Sequence, residues 1–268
     1  MSSRVLITGG ASGLGKALAQ CYLKDGARVL ITDIQQQRGE ETVFELSPLG
    51  EIHFIAANTT VDADWDTLLQ WTEQHWQGLD VLINNAGVAA SGRIDKLSME
   101  DWDWIIDINL KGVIRGCRTF VPLFKQQRSG HIVNIASLAA VASAPTMSSY
   151  NVTKAGVVSL SETLRHELAP YGINTTVVCP SFFQTNLADT MRTPEQGMDQ
   201  TVRKLLANGK LSAEQVAAKV LKAQKARRFL ELPHPEGKAL ALAKRYTPLL
   251  YNFGLADAGK RLYKKLER

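Results

Sequence analysis

Residues 8–15 read Thr8-Gly9-Gly10-Ala11-Ser12-Gly13-Leu14-Gly15, and no other segment restricts the fold as strongly. The run Arg4-Val5-Leu6-Ile7 before it reads as a buried strand, while Leu14, Leu18 and Tyr22 after it fall on one face of a helix. Glycines at such a junction permit a tight turn and close backbone approach. They leave the first N–H groups of the helix, aided by its dipole, to hold a pyrophosphate. A glycine-rich turn by itself is only a tight loop; its place between a first strand and a helix makes it a dinucleotide site.

Strand and helix patterns alternate beyond this point. Residues 28–32 form a second strand ending in Asp33, whose carboxylate can accept hydrogen bonds from an adenosine ribose and would repel a 2′-phosphate. Ile34 follows, and Ser12 precedes Gly13, so no basic residue next to the turn offers a phosphate clamp. The reading is NAD in preference to NADP, with Arg38 as the group that would admit NADP and helix capping as the alternative role of Asp33. Residues 52–56 end at Asn58-Thr59, and the helix behind them carries Trp65, Leu68, Leu69 and Trp76 as core residues. Residues 81–83 deliver Asn84-Asn85-Ala86-Gly87 to a strand end, the two amides being either site residues or local turn formers. Ser98-Met99-Glu100-Asp101 reads as a capping box opening a long helix, inside which Asn109 is a poor helix former. Such a misfit marks either a functional position or an exposed side chain.

Residues 132–136 read as another buried strand with Ser137 at its C-terminal end, the end that faces the ligand crevice in open α/β sheets. After the loop 144–149, Val152, Ala155, Val158, Leu164 and Leu168 recur at helical spacing until Pro170. Tyr150 and Lys154 lie one turn apart on that helix. A phenol titrates near about 10, and a fixed cation beside it is expected to lower that value and allow proton exchange with a substrate hydroxyl. Taken alone, the pair is equally a solvated couple of polar side chains.

Taken together, Thr8-Gly9-x-x-x-Gly13-x-Gly15, Asn84-Asn85-Ala86-Gly87, Asn109, Ser137 and Tyr150-x-x-x-Lys154 resemble, in order and spacing, the short-chain dehydrogenase/reductase family. The resemblance covers residues 4–232. It implies a doubly wound, mainly parallel Rossmann sheet of seven strands with helices on both faces. It implies Tyr150 as general acid/base, Lys154 as the cation beside it, Ser137 orienting the substrate oxygen, and Asn109 supporting a water-borne proton relay. The implied cofactor site comprises Gly9, Ser12, Gly13, Leu14, Gly15, Asp33, Asn58, Thr59, Asn85, Ala86, Gly87, Pro180 and Thr185, together with Tyr150 and Lys154. Two positions depart from the family pattern: Ser181 where a glycine commonly follows Pro180, and Asn58 in place of an aspartate. Residues 187–209 resemble the substrate lid, and Phe182 and Phe183 beside it are either pocket wall or core. The implied activity is hydride transfer between NAD and an apolar secondary alcohol or ketone. An NADPH-dependent carbonyl or acyl reductase is the alternative. A non-catalytic dinucleotide-binding scaffold is the reading from another class, and it would have no need of the complete set at 109, 137, 150 and 154.

The 268 residues fit one α/β domain at 1–232 with an extension at 233–268. The chain starts its first strand within a few residues and has no membrane-length apolar run, which places it in the cytoplasm as an expectation. Cys21, Cys117 and Cys179 read as reduced, buried thiols, and the five histidines show no ligand spacing, so no metal is expected. Charge is unevenly spread: residues 1–200 hold 15 Lys+Arg and 21 Asp+Glu, a net of −6, and residues 201–268 hold 16 and 5, a net of +11. No nucleic-acid motif accompanies the basic part. The extension mixes Leu240, Leu242, Tyr246, Leu249, Leu250, Tyr251 and Phe253 with Lys and Arg as far as Lys265. A packed apolar side under a solvated basic face is preferred there over contact with a membrane surface. The family resemblance further suggests a homodimer or homotetramer.

Overall fold

The computed structural model describes residues 2–267; the side chains of 265 and 266 lie outside that description, as does that of Lys265 in the basic end read above. Seven strands form one sheet: β1 (Arg4–Thr8), β2 (Arg28–Asp33), β3 (Ile52–Ala56), β4 (Val81–Asn84), β5 (Gly130–Ile135), β6 (Ile173–Val178) and β7 (Leu230–Glu231). All are parallel and lie in the order β3-β2-β1-β4-β5-β6-β7. The order reverses between β1 and β4, and such a switch point opens a crevice at the strands' C-terminal ends.

The strands alternate side chains between two cores, as a pleated strand must. Val5 and Ile7 of β1, with Val29 and Ile31 of β2, face α1 (Gly13–Lys24), α2 (Gln36–Leu46) and a later helix at Ala213–Lys225. Leu6, Leu30, Leu82 and Ile132 face the opposite layer. That layer contains α3 (Asp62–Trp76), α4 (Met99–Ile106), α5 (Gly112–Gln127) and, after the short α6 (Ala139–Ala142), the long α7 (Ser148–Leu168). The chain ends with α8 (Met198–Ala207), α9 (Ala213–Lys225), α10 (Pro235–Tyr246) and α11 (Pro248–Leu266). The Ser98 hydroxyl accepts the Asp101 N–H and caps α4, as its sequence suggests.

Two local expectations change. The long helix read from Ser98 onward is split by a π-helical turn at Asp107–Lys111, with Asn109 at its centre. One extra residue in the turn rotates α5 relative to α4 and leaves Asn109 fully buried, so its poor helix propensity marks a built feature and not an exposed side chain. On α7 the apolar spacing marks only part of the buried face: Leu164 and Leu168 lie on it, Val152 and Ala155 do not. Val152 is 50% exposed and Ala155 is exposed, whereas Ser149, Tyr150, Thr153, Lys154, Val157, Ser161, Leu164 and Leu168 are buried. Two of the hydroxyls on that face find partners nearby, while Ser149 Oγ is buried without one. Thr153 donates to the Tyr150 carbonyl at 2.8 Å, and Ser161 donates to Val157 O at 2.7 Å while accepting from Asn134 Nδ2 at 3.0 Å.

A second buried polar group joins β5, β6 and α9. His131 meets Thr176 Oγ1 at 2.8 Å through Nε2, and Gln224 lies 3.4 Å from Nδ1. Burial, reinforced by the Arg227 charge, pushes His131 down from 6.5 to about 4. A depressed histidine contributes stability that is complete above about pH 6.5 and lost as pH falls through 4. The loss is on the order of 3 kcal/mol, at about 1.4 kcal/mol per unit. Urea unfolding between pH 7 and 4.5 should therefore show a smaller fall in midpoint for His131→Gln than for the wild type; parallel profiles would exclude His131 as the titrating group.

Candidate active site

The glycine turn is shaped by close approach. Gly9 has φ +63°, and a Cβ there would lie 2.9 Å from Ala86 Cα; a Cβ on Gly15 would lie 1.9 Å from Gly9 O. No side chain caps α1, so its first N–H groups are presented to the crevice, an arrangement that fits a pyrophosphate. The turn is locked to the end of β4. Thr8 Oγ1 accepts from Asn85 N and Ala86 N, both at 3.0 Å, and Asn85 Nδ2 donates to Thr8 O at 2.9 Å and Gly9 O at 3.2 Å. Asn85 is thus a tie between two strand ends, and Asn84 is a buried strand residue whose amide donates to Asn134 Oδ1 at 2.8 Å. Neither is a turn former. The tie that Thr8 makes is visible only where β1 and β4 meet.

One cleft of about 360 Å³ runs along these strand ends. Gly9, Ser12, Gly13, Leu14, Asp33, Asn58, Thr59, Asn85, Ala86, Gly87, Ser137, Tyr150, Lys154, Pro180 and Thr185 all line it. Gly15 and Asn109 do not: Gly15 serves the contact between α1 and its own turn, and Asn109 stands one layer behind. Asp33 accepts Ala11 N at 3.3 Å through one oxygen and Gln35 N at 3.2 Å through the other, while Arg38 lines the same cleft. The Asn58 amide oxygen already accepts from Thr60 N at 3.0 Å and Thr60 Oγ1 at 2.9 Å, closing a local turn.

At the other end of the cleft, Lys154 Nζ donates to Ile135 O at 3.0 Å and lies 5.7 Å from the centroid of the Tyr150 ring. Asn109 is pinned on both amide atoms by Val88, Oδ1 accepting Val88 N and Nδ2 donating to Val88 O, each at 2.8 Å. Gly87 fills the space between these groups: a Cβ on it would sit 3.1 Å from Asn109 Oδ1 and 3.5 Å from Lys154 Nζ. Ser137 Oγ accepts Ala139 N at 3.1 Å. Tyr150 is buried, and the balance on its phenol runs opposite to the sequence expectation. Burial pushes it up to about 12, outweighing a hydrogen bond to Ser137 that favours the phenolate. Burial likewise brings Lys154 down to about 8. Cys179 is a buried thiol pushed up to about 12 and does not line the cleft.

The cleft wall is completed by Phe182, Phe183, Leu187 and Leu206. Phe183 is also part of the core, while Phe182 is 38% exposed, so the two alternatives for this pair divide between them. The segment 187–209 is fastened at both sides. Arg93 pairs with the buried Glu195 at 2.8 Å and holds its carboxyl below the usual range, and Arg192 lies over the Trp104 ring at 4.2 Å. Ser181 needs no positive φ, and its N–H donates to Nδ1 of the buried His234 at 3.1 Å. That contact, invisible to any local motif, holds the loop where the family commonly has glycine.

A family model described as short chain dehydrogenase matches residues 3–196. The chain is 32% identical over 217 residues to the 3-oxoacyl-[acyl-carrier-protein] reductase FabG of Thermotoga maritima, spanning 81% of this chain and 87% of that one. It is also 32% identical over 252 residues to a CLA biosynthesis dehydrogenase/reductase of Lactiplantibacillus plantarum, spanning 87% and 88%. A crystal structure of a short chain dehydrogenase/reductase from Burkholderia phymatum in complex with NAD is similar with a TM-score of 0.87 at 31% identity, covering 93% of this chain and 95% of that one. A short-chain dehydrogenase from Sphingobium yanoikuyae in complex with NADPH is similar with a TM-score of 0.77 at 25% identity, covering 92% and 95%. With its seven-stranded parallel sheet and these matches over most of its length, the chain belongs to the short-chain dehydrogenase/reductase family.

Proposed function

We propose that this oxidoreductase transfers a hydride between a nicotinamide dinucleotide, NAD in preference to NADP, and an apolar secondary alcohol or its ketone, with Tyr150 as general acid/base. The observation that carries the reading is that Ser137, Tyr150 and Lys154 line the same cleft as the glycine turn and the uncapped end of α1. The NAD and NADPH in the related structures support the cofactor class. When bound, the nicotinamide supplies or takes up the hydride. Phe182, Leu187 and Leu206 give the substrate end an apolar wall. Exposed Val152 and Ala155 on α7 provide a face for a second copy, in line with a homodimer or homotetramer.

The side chains divide the proton work. Ser137 Oγ positions the substrate oxygen beside the Tyr150 hydroxyl. In reduction the protonated phenol, the form favoured by burial, gives its proton to the oxygen that gains negative charge. In oxidation the phenolate accepts the hydroxyl proton, so the oxidative rate rises with pH and the reductive rate falls. Lys154, fixed by Ile135 O, stabilises the phenolate and would hold the nicotinamide ribose, and the Val88-pinned Asn109 amide would support a water leading from Lys154 toward solvent.

A second reading, NADPH-dependent reduction of a carbonyl or acyl substrate, is favoured by Arg38 in the cleft beside Asp33 and by the 3-oxoacyl reductase relative. Parallel fluorescence titrations with NADH and NADPH, followed by an absorbance screen of alcohols and ketones, separate the two. Tighter NADH binding supports the Asp33 assignment, and Asp33→Ala should then bring the two affinities closer together; an unchanged ratio rejects it. Cofactor binding without turnover of any alcohol or ketone would instead support the scaffold reading.

Tyr150→Phe should lower turnover by roughly 10²–10⁴-fold, the usual worth of a general acid or base, with cofactor affinity nearly unchanged. Retained turnover would remove Tyr150 from the mechanism.

Lys154 carries a cost that function justifies. Its folded value of about 8 lies below the ordinary 10.5, so the linked stability is complete above about pH 10.5 and lost as pH falls through 8. At neutral pH the fold holds a buried ammonium. Lys154→Met should raise the unfolding free energy at pH 7 by about 1–2 kcal/mol, the desolvation relief less the hydrogen bond to Ile135 O, while abolishing turnover. A destabilised variant would contradict this account.

A further inference from the structure

The extension departs from its sequence reading in a way that points to a partner. Its inner side is indeed packed: α10 rests on α6, Tyr251 donates to Val141 O at 3.3 Å and to Ala142 O, and Lys244 Nζ donates to Val141 O at 2.7 Å. The apolar residues around the α10–α11 corner are not. Leu242, Tyr246, Leu249, Leu250 and Phe253 are 57–84% exposed. Helical spacing puts Leu242 and Tyr246 on one face of α10, and Leu249, Leu250 and Phe253 on one face of α11, opposite Tyr251 and Leu255. Five large apolar side chains left in water at one corner mark an interaction surface and not scattered exposure.

Charge identifies the occupant. Residues 233–268 hold eight Lys+Arg against three Asp+Glu, a net of +5, while residues 1–200 have a net of −6. On α10, Lys238 and Arg245 fall on the exposed face with Leu242; on α11, Lys260 and Lys264 follow Phe253 along the same face, and all four are exposed. An apolar corner flanked by cations matches a lipid interface with anionic headgroups. Pairing of this face with itself in a second copy would oppose the same cations. Among the described residues no helix is long and apolar enough to cross a membrane, so the contact lies on the surface of a bilayer.

We propose that the outer face of the α10–α11 corner docks on an anionic lipid membrane, with Leu249, Leu250 and Phe253 entering the acyl boundary and Lys238, Arg245, Lys260 and Lys264 meeting the headgroups. The docked face adjoins the cleft through α6, whose Ala139 and Ala142 line it. The proposal rests on the surface alone and stands or falls independently of the reaction.

The test is flotation of the full chain with phosphatidylcholine vesicles and with vesicles containing phosphatidylglycerol. Retention on the anionic vesicles should be at least ten-fold greater, weaken with salt, and fall at least ten-fold in the Leu249→Ser/Leu250→Ser/Phe253→Ser variant and in Lys260→Glu/Lys264→Glu. Unchanged NADH titration by both variants would establish that the fold survives. No retention on anionic vesicles, or equal retention of wild type and variants, overturns the proposal. Sedimentation equilibrium supplies the remaining arm: an oligomer of the wild type that the serine variant dissolves would assign the corner to a second copy of the chain and overturn membrane docking.

Discussion

A buried ammonium must be held by something, and the carbonyl of Ile135 holds Lys154 at 3.0 Å. That single hydrogen bond joins the N-terminal part of α7 to the last residue of β5 and fixes where the Tyr150 side chain stands relative to the strand ends. Burying a cation this deeply is unfavourable unless several groups surround it. Here Gly87 admits the ammonium, Asn109 stands behind it, and Val88 pins Asn109 on both amide atoms. The π turn at Asp107–Lys111 exists in this context, because a regular helix continuing from α4 would carry residue 109 around the cylinder by a different angle. Helix α7, the π turn and the ends of β4 and β5 thus form one interdependent unit.

The other half of the cleft depends on a different economy. Thr8 serves two backbone N–H groups with one hydroxyl, and Asn85 returns its amide to two carbonyls of the glycine turn. These bonds satisfy backbone groups that the end of a parallel sheet would otherwise leave without partners, so the turn can approach β4 closely enough to form a floor for a dinucleotide. Around this floor other segments are attached by long-range polar contacts: the segment 187–209 by Arg93 and Glu195, the loop after β6 by His234, and α6 by Lys244 and Tyr251. Each of these anchors is distant in sequence from what it holds.

That difference in range separates what the amino-acid order carries from what the fold adds. Strand–turn–helix succession, the glycine turn, the strand ends that carry Asp33, Ser137 and Pro180, and the four-residue spacing of Tyr150 and Lys154 are local patterns, and all fall where the residues suggested. Hydrophobicity alone gives part of the buried face of α7, Leu164 and Leu168, and misses its polar part. Thr153 and Ser161 are buried with partners on the same helix and, for Ser161, on β5, while Val152 is left exposed. In the tail the inner side, with Tyr251, is packed as the apolar residues suggested, but Leu242, Tyr246, Leu249, Leu250 and Phe253 are not, because the body offers contacts to only one side of each helix.

By itself the amino-acid order determined the α/β class, the family and most of the residues that line the cleft, because each depends on backbone geometry and on side chains within a turn or a strand end of one another. Only the tertiary structure decided the protonation balance. The cation beside Tyr150 was expected to lower the phenol, but burial at the meeting of α7 and β5 raises it to about 12 and brings Lys154 to about 8. Desolvation is set by every element that closes over a group, and no spacing along the chain reports how much water is left.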